Sequence, residues 1–188
     1  MPEQLPITTY GMDILRKKVK SVGKIDVQFI QLVENMFYTM VNADGIGLAA
    51  PQVNENLSLC VIDISYVSEY KHFKPVTLIN PVITDKHGET VREEGCLSIP
   101  EVRGPVTRHD KIFLRYNDFN LNELTMEADG FMSRVIQHEI DHLHGVLFVD
   151  HLDEDEKKKV ASILRKIKKN KITPDYPLFA NMKSVSGF

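Results

Sequence analysis

Residues 131–145 read Phe-Met-Ser-Arg-Val-Ile-Gln-His-Glu-Ile-Asp-His-Leu-His-Gly, and this stretch decides the architecture. At about 100° per residue, Met132, Ile136, Ile140 and Leu143 fall on one arc of a helix, and Arg134, Gln137 and Asp141 fall roughly opposite. The pattern predicts an amphipathic helix packed into the core along the first arc. With His138 set at zero, His142 lies about 40° round, Phe131 and Val135 lie within about 60°, and Glu139 lies at about 100°. Two imidazoles therefore share one edge of the apolar arc, with a carboxylate beside them.

His138 and His142, one turn apart in an H-E-x-x-H run, can grip one divalent ion, and Glu139 between them can handle the protons of a water activated there. The chain continues Leu143-His144-Gly145-Val146-Leu147-Phe148. It follows the metzincin pattern H-E-x-x-H-x-x-G-x-x-H as far as the last position, where Phe148 replaces a histidine. A phenyl ring cannot bind a metal, so a third ligand has to come from elsewhere.

Cys96 is the candidate, in Glu93-Glu94-Gly95-Cys96-Leu97-Ser98-Ile99-Pro100. Acidic neighbours dull a free thiol as a nucleophile, whereas a metal holds it as thiolate regardless, so a ligand role suits Cys96 better than nucleophilic catalysis. Cys60 lies in the apolar run from Leu57 to Ile62 and reads as a small core residue. Upstream, Gly45-Ile46-Gly47-Leu48-Ala49-Ala50-Pro51-Gln52 leaves the backbone bare enough for an extended peptide to pair alongside as an added strand. The same composition also makes a plain tight turn between a helix and a strand. Gln52 is the side chain in this run able to donate to a developing oxyanion.

The rest of the chain predicts an α+β fold, with mixed or antiparallel strands packed around the central metal-binding helix and a further helix toward each end. Asp26 caps an N-terminal helix whose stripe is Val27, Ile30, Val33, Met36, Phe37, Met40 and Val41. Leu57 to Ile62, Val76 to Ile79, Pro81 to Thr84, Lys111 to Tyr116 and Glu123 to Glu127 read as strands. Ser65 to Pro75, polar and without a period, reads as a surface loop. A C-terminal helix opens at Asp153-Glu154-Asp155-Glu156, buries Val160, Ile163, Leu164 and Ile167, and ends among Arg165, Lys166, Lys168, Lys169 and Lys171, a polarity that suits the helix dipole. Residues 172–188 lack periodicity and are expected as an irregular, surface-draped extension.

With 188 residues, 43% of them hydrophobic, the chain suits one catalytic domain over 1–188. A net charge of −3 and a pI near 6.2 supply no global basic field toward nucleic acid or anionic membrane. No run approaches the roughly 18 apolar residues of a membrane span, and Met1 to Pro6 does not read as a charged-then-apolar signal segment. Two cysteines give no disulfide framework, and a reducing, cytoplasmic setting is expected.

Gly45–Gln52, Glu94–Ser98 and Gln137–His142 together resemble, in that order, the three signature motifs of peptide deformylases of the bacterial and organellar type, over roughly Leu5 to Asp150. The resemblance implies a hydrolase that removes the formyl group from the N-terminal formyl-methionine of new polypeptides. It implies that Cys96, His138 and His142 hold one metal ion with water in the fourth place, commonly Fe²⁺, with Zn²⁺, Ni²⁺ or Co²⁺ able to occupy the site. Glu139 would move the proton, and Gln52 with the backbone amide of Leu97 would stabilise the oxyanion. Ile46, Gly47 and Gly95 would pair with the peptide backbone, and Phe131, Val135 and His138 would wall the methionine pocket. Nascent peptides are the expected partners; the basic end of the last helix reads first as a solvated face, with a contact to ribosomal RNA as the alternative. Two rivals remain: a zinc peptidase using His144 or His151 in place of Cys96, and a non-catalytic protein with a closed structural site.

Overall fold

A computed structural model describes residues 1–179, and among these the chain runs through three α-helices and seven strands. Asp26, in extended backbone, caps α1 (Val27–Asn42), its carboxylate accepting the Phe29 N–H at 3.0 Å. That bond satisfies one of the donors every helix start leaves open. The buried face differs from the expected stripe: Phe29, Val33, Met36 and Met40 face the core, and Val27, Ile30 and Val41 are exposed. Phe29 offers more apolar area than either Val27 or Ile30, so burying it turns the first two turns of the helix.

Five strands form an antiparallel sheet in the order β1 (Gly47–Ala49), β2 (Leu59–Ile62), β3 (Val76–His87), β6 (Lys111–Asn117), β7 (Glu123–Asp129). A separate hairpin pairs β4 (Thr90–Cys96) with β5 (Ile99–Arg108). Side chains along β2 alternate between two cores. Leu59 and Val61 meet the Phe29, Val33, Met36 and Met40 face of α1, while Cys60 and Ile62 meet Met132, Ile136, Ile140 and Leu143 of α2 (Gly130–Leu143). Burial on both faces explains the unbroken apolar run. A third cluster joins Ile99, Val102 and Val106 of β5 to Val160 and Ile167 of α3 (Glu154–Lys168).

Two expected strands, 76–79 and 81–84, are one bulged strand. Asn80 adopts φ 52°, the register shifts between Ile79 and Val82, and the Asn80 side chain closes on the Val22 backbone at 2.8 and 2.9 Å. The bulge lets the chain carry Pro81 without losing the ladder. The β4–β5 hairpin and β1 were not expected as strands. In β4 the pattern is masked by Glu93, Glu94 and Gly95. Beyond α3, Ile172 and Leu178 are buried, the Ile7 N–H donates to the Pro177 carbonyl at 2.8 Å, and the Phe179 N–H donates to the Ile7 carbonyl at 2.9 Å. The described part of the expected extension is thus anchored, and its remainder, 180–188, lies outside the described residues.

Candidate active site

The arc of α2 expected to meet solvent is largely buried, Arg134 and Gln137 included. It faces the β4–β5 hairpin, and what it finds there is Glu94. This carboxylate accepts from Arg108 at 2.9 and 3.0 Å and from Arg134 at 2.6 Å, and its Oε2 lies 3.0 Å from His138 Nδ1. Arg134 also donates to the carbonyls of Val106 and Thr90, at 2.9 and 2.7 Å. The cluster pins the hairpin onto the helix. Burial by itself would raise the Glu94 pKa; His138 and Arg108 outweigh it and hold the carboxylate well below its usual range. An ionised Glu94 fixes a proton on His138 Nδ1 and leaves Nε2 to face the site, the outer partner that metal-bound histidines ordinarily have.

The same pinning brings Cys96, at the end of β4, over the helix. Cys96 Sγ lies 3.3 Å from His142 Nε2, and the ligand atoms of Cys96, His138 and His142 all fall within 4.8 Å of one another. Ligand atoms around a tetrahedral ion with bonds of about 2.0–2.3 Å stand about 3.3–3.7 Å apart, a spacing that Cys96 and His142 already meet and that the three atoms together approach. The electrostatics agree. Burial opposes a charge on His138, but the Cys96 sulfur and Glu94 prevail and push its pKa well above the usual value, so the pocket favours a cation. Burial, then His138, pushes His142 well below, leaving a neutral imidazole ready to ligate. His142 Nδ1 and Glu139 Oε2 are buried without a hydrogen-bond partner among the described residues, polar capacity the protein alone leaves unspent.

Glu139 is buried, and burial chiefly, with Glu94 and Asp141 adding to it against His138 and Arg108, raises its pKa to about 7. It lies directly under β1: a Cβ on Gly47 would stand 2.4 Å from Glu139 Oε1. Gln52 sits in the short 3-10 turn Ala50–Val53, its Oε1 accepting the Ala49 N–H at 2.8 Å. That bond fixes the amide orientation and aims Nε2 at Cys96 Sγ, 3.5 Å away, and at Ser98 Oγ, 3.3 Å away.

A cavity of about 930 Å³ opens over these groups, its walls including Ile46, Gly47, Gly95, Phe131, Val135 and His138. Gln52, Cys96, Leu97 and Glu139 border the same space, and of the three metal-ligand candidates only His142 is not part of its wall. Phe148, standing where the metzincin pattern has a ligand, is buried with its ring nearly parallel to His138 at 6.4 Å and supports that imidazole from behind. His144 Nδ1 donates to the Ile140 carbonyl at 2.9 Å and His151 Nε2 pairs with Asp141 at 2.8 Å, so neither joins the cluster. Sequence reasoning did not give Glu94, Arg108 or Arg134 a role. It also left Tyr70 in a loop, though Tyr70 packs on Phe131 with ring centres 5.5 Å apart.

Three donors from a helix and a hairpin, a buried acid beside them and a cleft of peptide size define a metal-dependent hydrolase; a structural site ordinarily supplies a fourth protein ligand. Residues 4–158 match the polypeptide deformylase family, and the chain belongs to it. It is 44% identical over 181 residues to the peptide deformylase of Chlorobaculum tepidum, covering 96% of this chain and 97% of that protein. A plant peptide deformylase structure superposes with a TM-score of 0.83 at 30% identity, over 94% of this chain and 98% of that one. A peptide deformylase of Acinetobacter baumannii, solved with Met-Ala-Ser bound, superposes with a TM-score of 0.76 at 31% identity, over 81% and 100% of the two chains. Members of this family remove the formyl group from N-terminal methionine.

Proposed function

We propose that Cys96, His138 and His142 hold one divalent ion and that deformylation of new polypeptides takes place in the cavity beside it, within a single catalytic domain. The convergence of those three ligand atoms next to a buried, unpartnered carboxylate carries the reading. When bound, such an ion supplies Lewis acidity, polarising the formyl oxygen and making a water acidic enough to lose a proton near neutral pH. Glu139 takes that proton as the water oxygen attacks the formyl carbon. It then delivers it to the departing nitrogen, so that the C–N bond breaks into formate and a free amine. The Gln52 amide and the Leu97 N–H donate to the oxygen that gains charge.

β1 is an edge strand of its sheet and β4 pairs only with β5 among the described residues, and both border the cavity. Ile46, Gly47 and Gly95 offer these edges to an extended substrate, while Phe131 and Val135 wall the methionine side chain. Met-Ala-Ser, held by the Acinetobacter baumannii relative, is what deformylation of formyl-Met-Ala-Ser leaves, and it supports that placement. A formyl carbon, which bears only hydrogen, can approach such an ion and its acid more closely than an acetyl carbon with its methyl, so selectivity for formyl peptides is expected.

Fe²⁺ is the ion we assign in the cell, with Zn²⁺, Ni²⁺ or Co²⁺ as substitutes, since cellular supply rather than this donor set decides between them. Oxygen sensitivity follows for a ferrous ion beside a thiolate. The reaction belongs in the cytoplasm. The exposed basic end of α3, Arg165, Lys166 and Lys168, followed by Lys169 and Lys171, suits phosphate contacts with ribosomal RNA.

Protein purified without oxygen, assayed on formyl-Met-Ala-Ser and acetyl-Met-Ala-Ser with metal measured in the same sample, tests this. One ion per chain, one formate per amine released and an untouched acetyl peptide are expected. A metal-loaded protein that leaves the formyl group in place, or that cuts the peptide bond, overturns it.

A further inference from the structure

Tyr176 lies beyond the residues that match the family and far from every motif, yet its hydroxyl donates to the Leu97 carbonyl at 2.7 Å. The segment carrying it is tied down by buried Ile172 and Leu178 and by the backbone bonds to Ile7. Thr173 to Tyr176 thereby line the same cavity as Cys96, Leu97 and His138. Leu97 and Ser98 form the two-residue turn between β4 and β5, where Cys96 pairs with Ile99. That turn is gripped from three directions. Gln52 reaches Cys96 Sγ and Ser98 Oγ, the Tyr10 N–H donates to the Ser98 carbonyl at 2.9 Å, and Tyr176 holds the Leu97 carbonyl.

We infer that Tyr176 is a positioning residue for deformylation: anchoring the Leu97 carbonyl fixes the turn that presents the Leu97 N–H to the substrate, and the C-terminal segment completes the active-site wall. The inference rests on the oxyanion role assigned above to Leu97. Gln52 and Tyr10 hold Cys96 and Ser98, whereas Tyr176 is the side chain bonded to Leu97 itself, and a donor to a developing charge acts only while held in line. Tyr176 hydrogen-bonds neither the three metal-ligand candidates nor the buried acid; it packs in the same cluster as Cys96 and Leu97, and the Leu97 carbonyl is where its hydroxyl is bonded.

Tyr176→Phe in the metal-loaded full chain deletes one hydroxyl and keeps the ring. We expect kcat on formyl-Met-Ala-Ser to fall about fivefold, as for one lost neutral hydrogen bond, with KM changed less than about twofold. Bound metal stays at the wild-type level, Tm falls by no more than about 4 °C, and amide exchange at Leu97 and Ser98 speeds about fivefold. Wild-type kcat and wild-type exchange in the variant overturn the inference. So does a rise in KM alone, or a loss of activity that tracks loss of fold. Should the wild-type protein release no formate while Tyr176→Phe still loosens Leu97, the deformylation reading fails but the coupling of Tyr176 to the turn stands.

Discussion

Replacing Gly47 with alanine is expected to remove most turnover and spare the fold. An added Cβ stands 2.4 Å from Glu139 Oε1 and 2.8 Å from its Cδ. A relaxed carbon–oxygen contact is about 3.3 Å or longer, so the carboxylate has to retreat by about 1 Å. Little else has to yield. Gly47 pairs with Ile62 in ordinary strand backbone outside the left-handed region, so alanine brings no backbone strain and lowers the entropy of the unfolded chain by about 0.4–1 kcal/mol. A proton acceptor displaced by about 1 Å costs about a hundredfold in rate, or about 2.7 kcal/mol. Formate release from formyl-Met-Ala-Ser, thermal melting and metal content are measured together. The expected result is kcat down about a hundredfold or more, Tm within a few degrees of wild type, and metal retained. Gly23→Ala is the control, because a Cβ there meets nothing within 4 Å and Gly23 lies outside the active-site cavity, so turnover should stay near wild type. Wild-type kcat in Gly47→Ala, or equal losses in both variants, would refute the packing argument.

Glu139→Gln keeps the shape of the site and its metal but loses about 10²–10⁴-fold in kcat, and near-normal activity in a metal-replete sample would sink the proton-transfer role. Glu94→Gln leaves Arg134 beside a neutral partner while Arg108 keeps Asp141, and costs about 1–3 kcal/mol of stability at neutral pH. It also weakens metal binding about 10–100-fold through His138, as competition with a chelator would report. The same residue gives a pH test. Because the folded Glu94 carboxylate titrates below its unfolded value of about 4.3, its contribution is complete above that value and is lost as pH falls beneath it. The acid arm of the wild-type Tm curve should therefore flatten in Glu94→Gln, and parallel curves would contradict the buried cluster. Anaerobic chelation should stop turnover reversibly, with activity returning on addition of a divalent ion.

The sequence carried the centre of the molecule well because α2 has chemistry at helical spacing. His138, Glu139 and His142 could be placed relative to Phe131 and Val135 by angle alone, and the cavity wall follows that wheel. Cys96 was legible by subtraction, as the thiol left without a packing role when Phe148 could not ligate. What escaped notice depends on partners distant in the chain. Arg134 reads as a solvent-facing charge until Glu94, forty residues upstream, is folded against it. Asn80-Pro81 reads as a break until a bulge absorbs it. Val27 outranks Phe29 in a periodic count, but side-chain area decides which residue is buried. Tyr176 carried no signal at all, since no local pattern marks a hydroxyl that closes on a turn 79 residues earlier.

X-ray absorption on zinc-loaded protein asks most directly whether a hairpin cysteine completes the histidine pair. One sulfur at about 2.3 Å and two imidazole nitrogens at about 2.0–2.1 Å are expected, with the sulfur lost in Cys96→Ser. A shell of nitrogen and oxygen alone in the wild-type protein would contradict it.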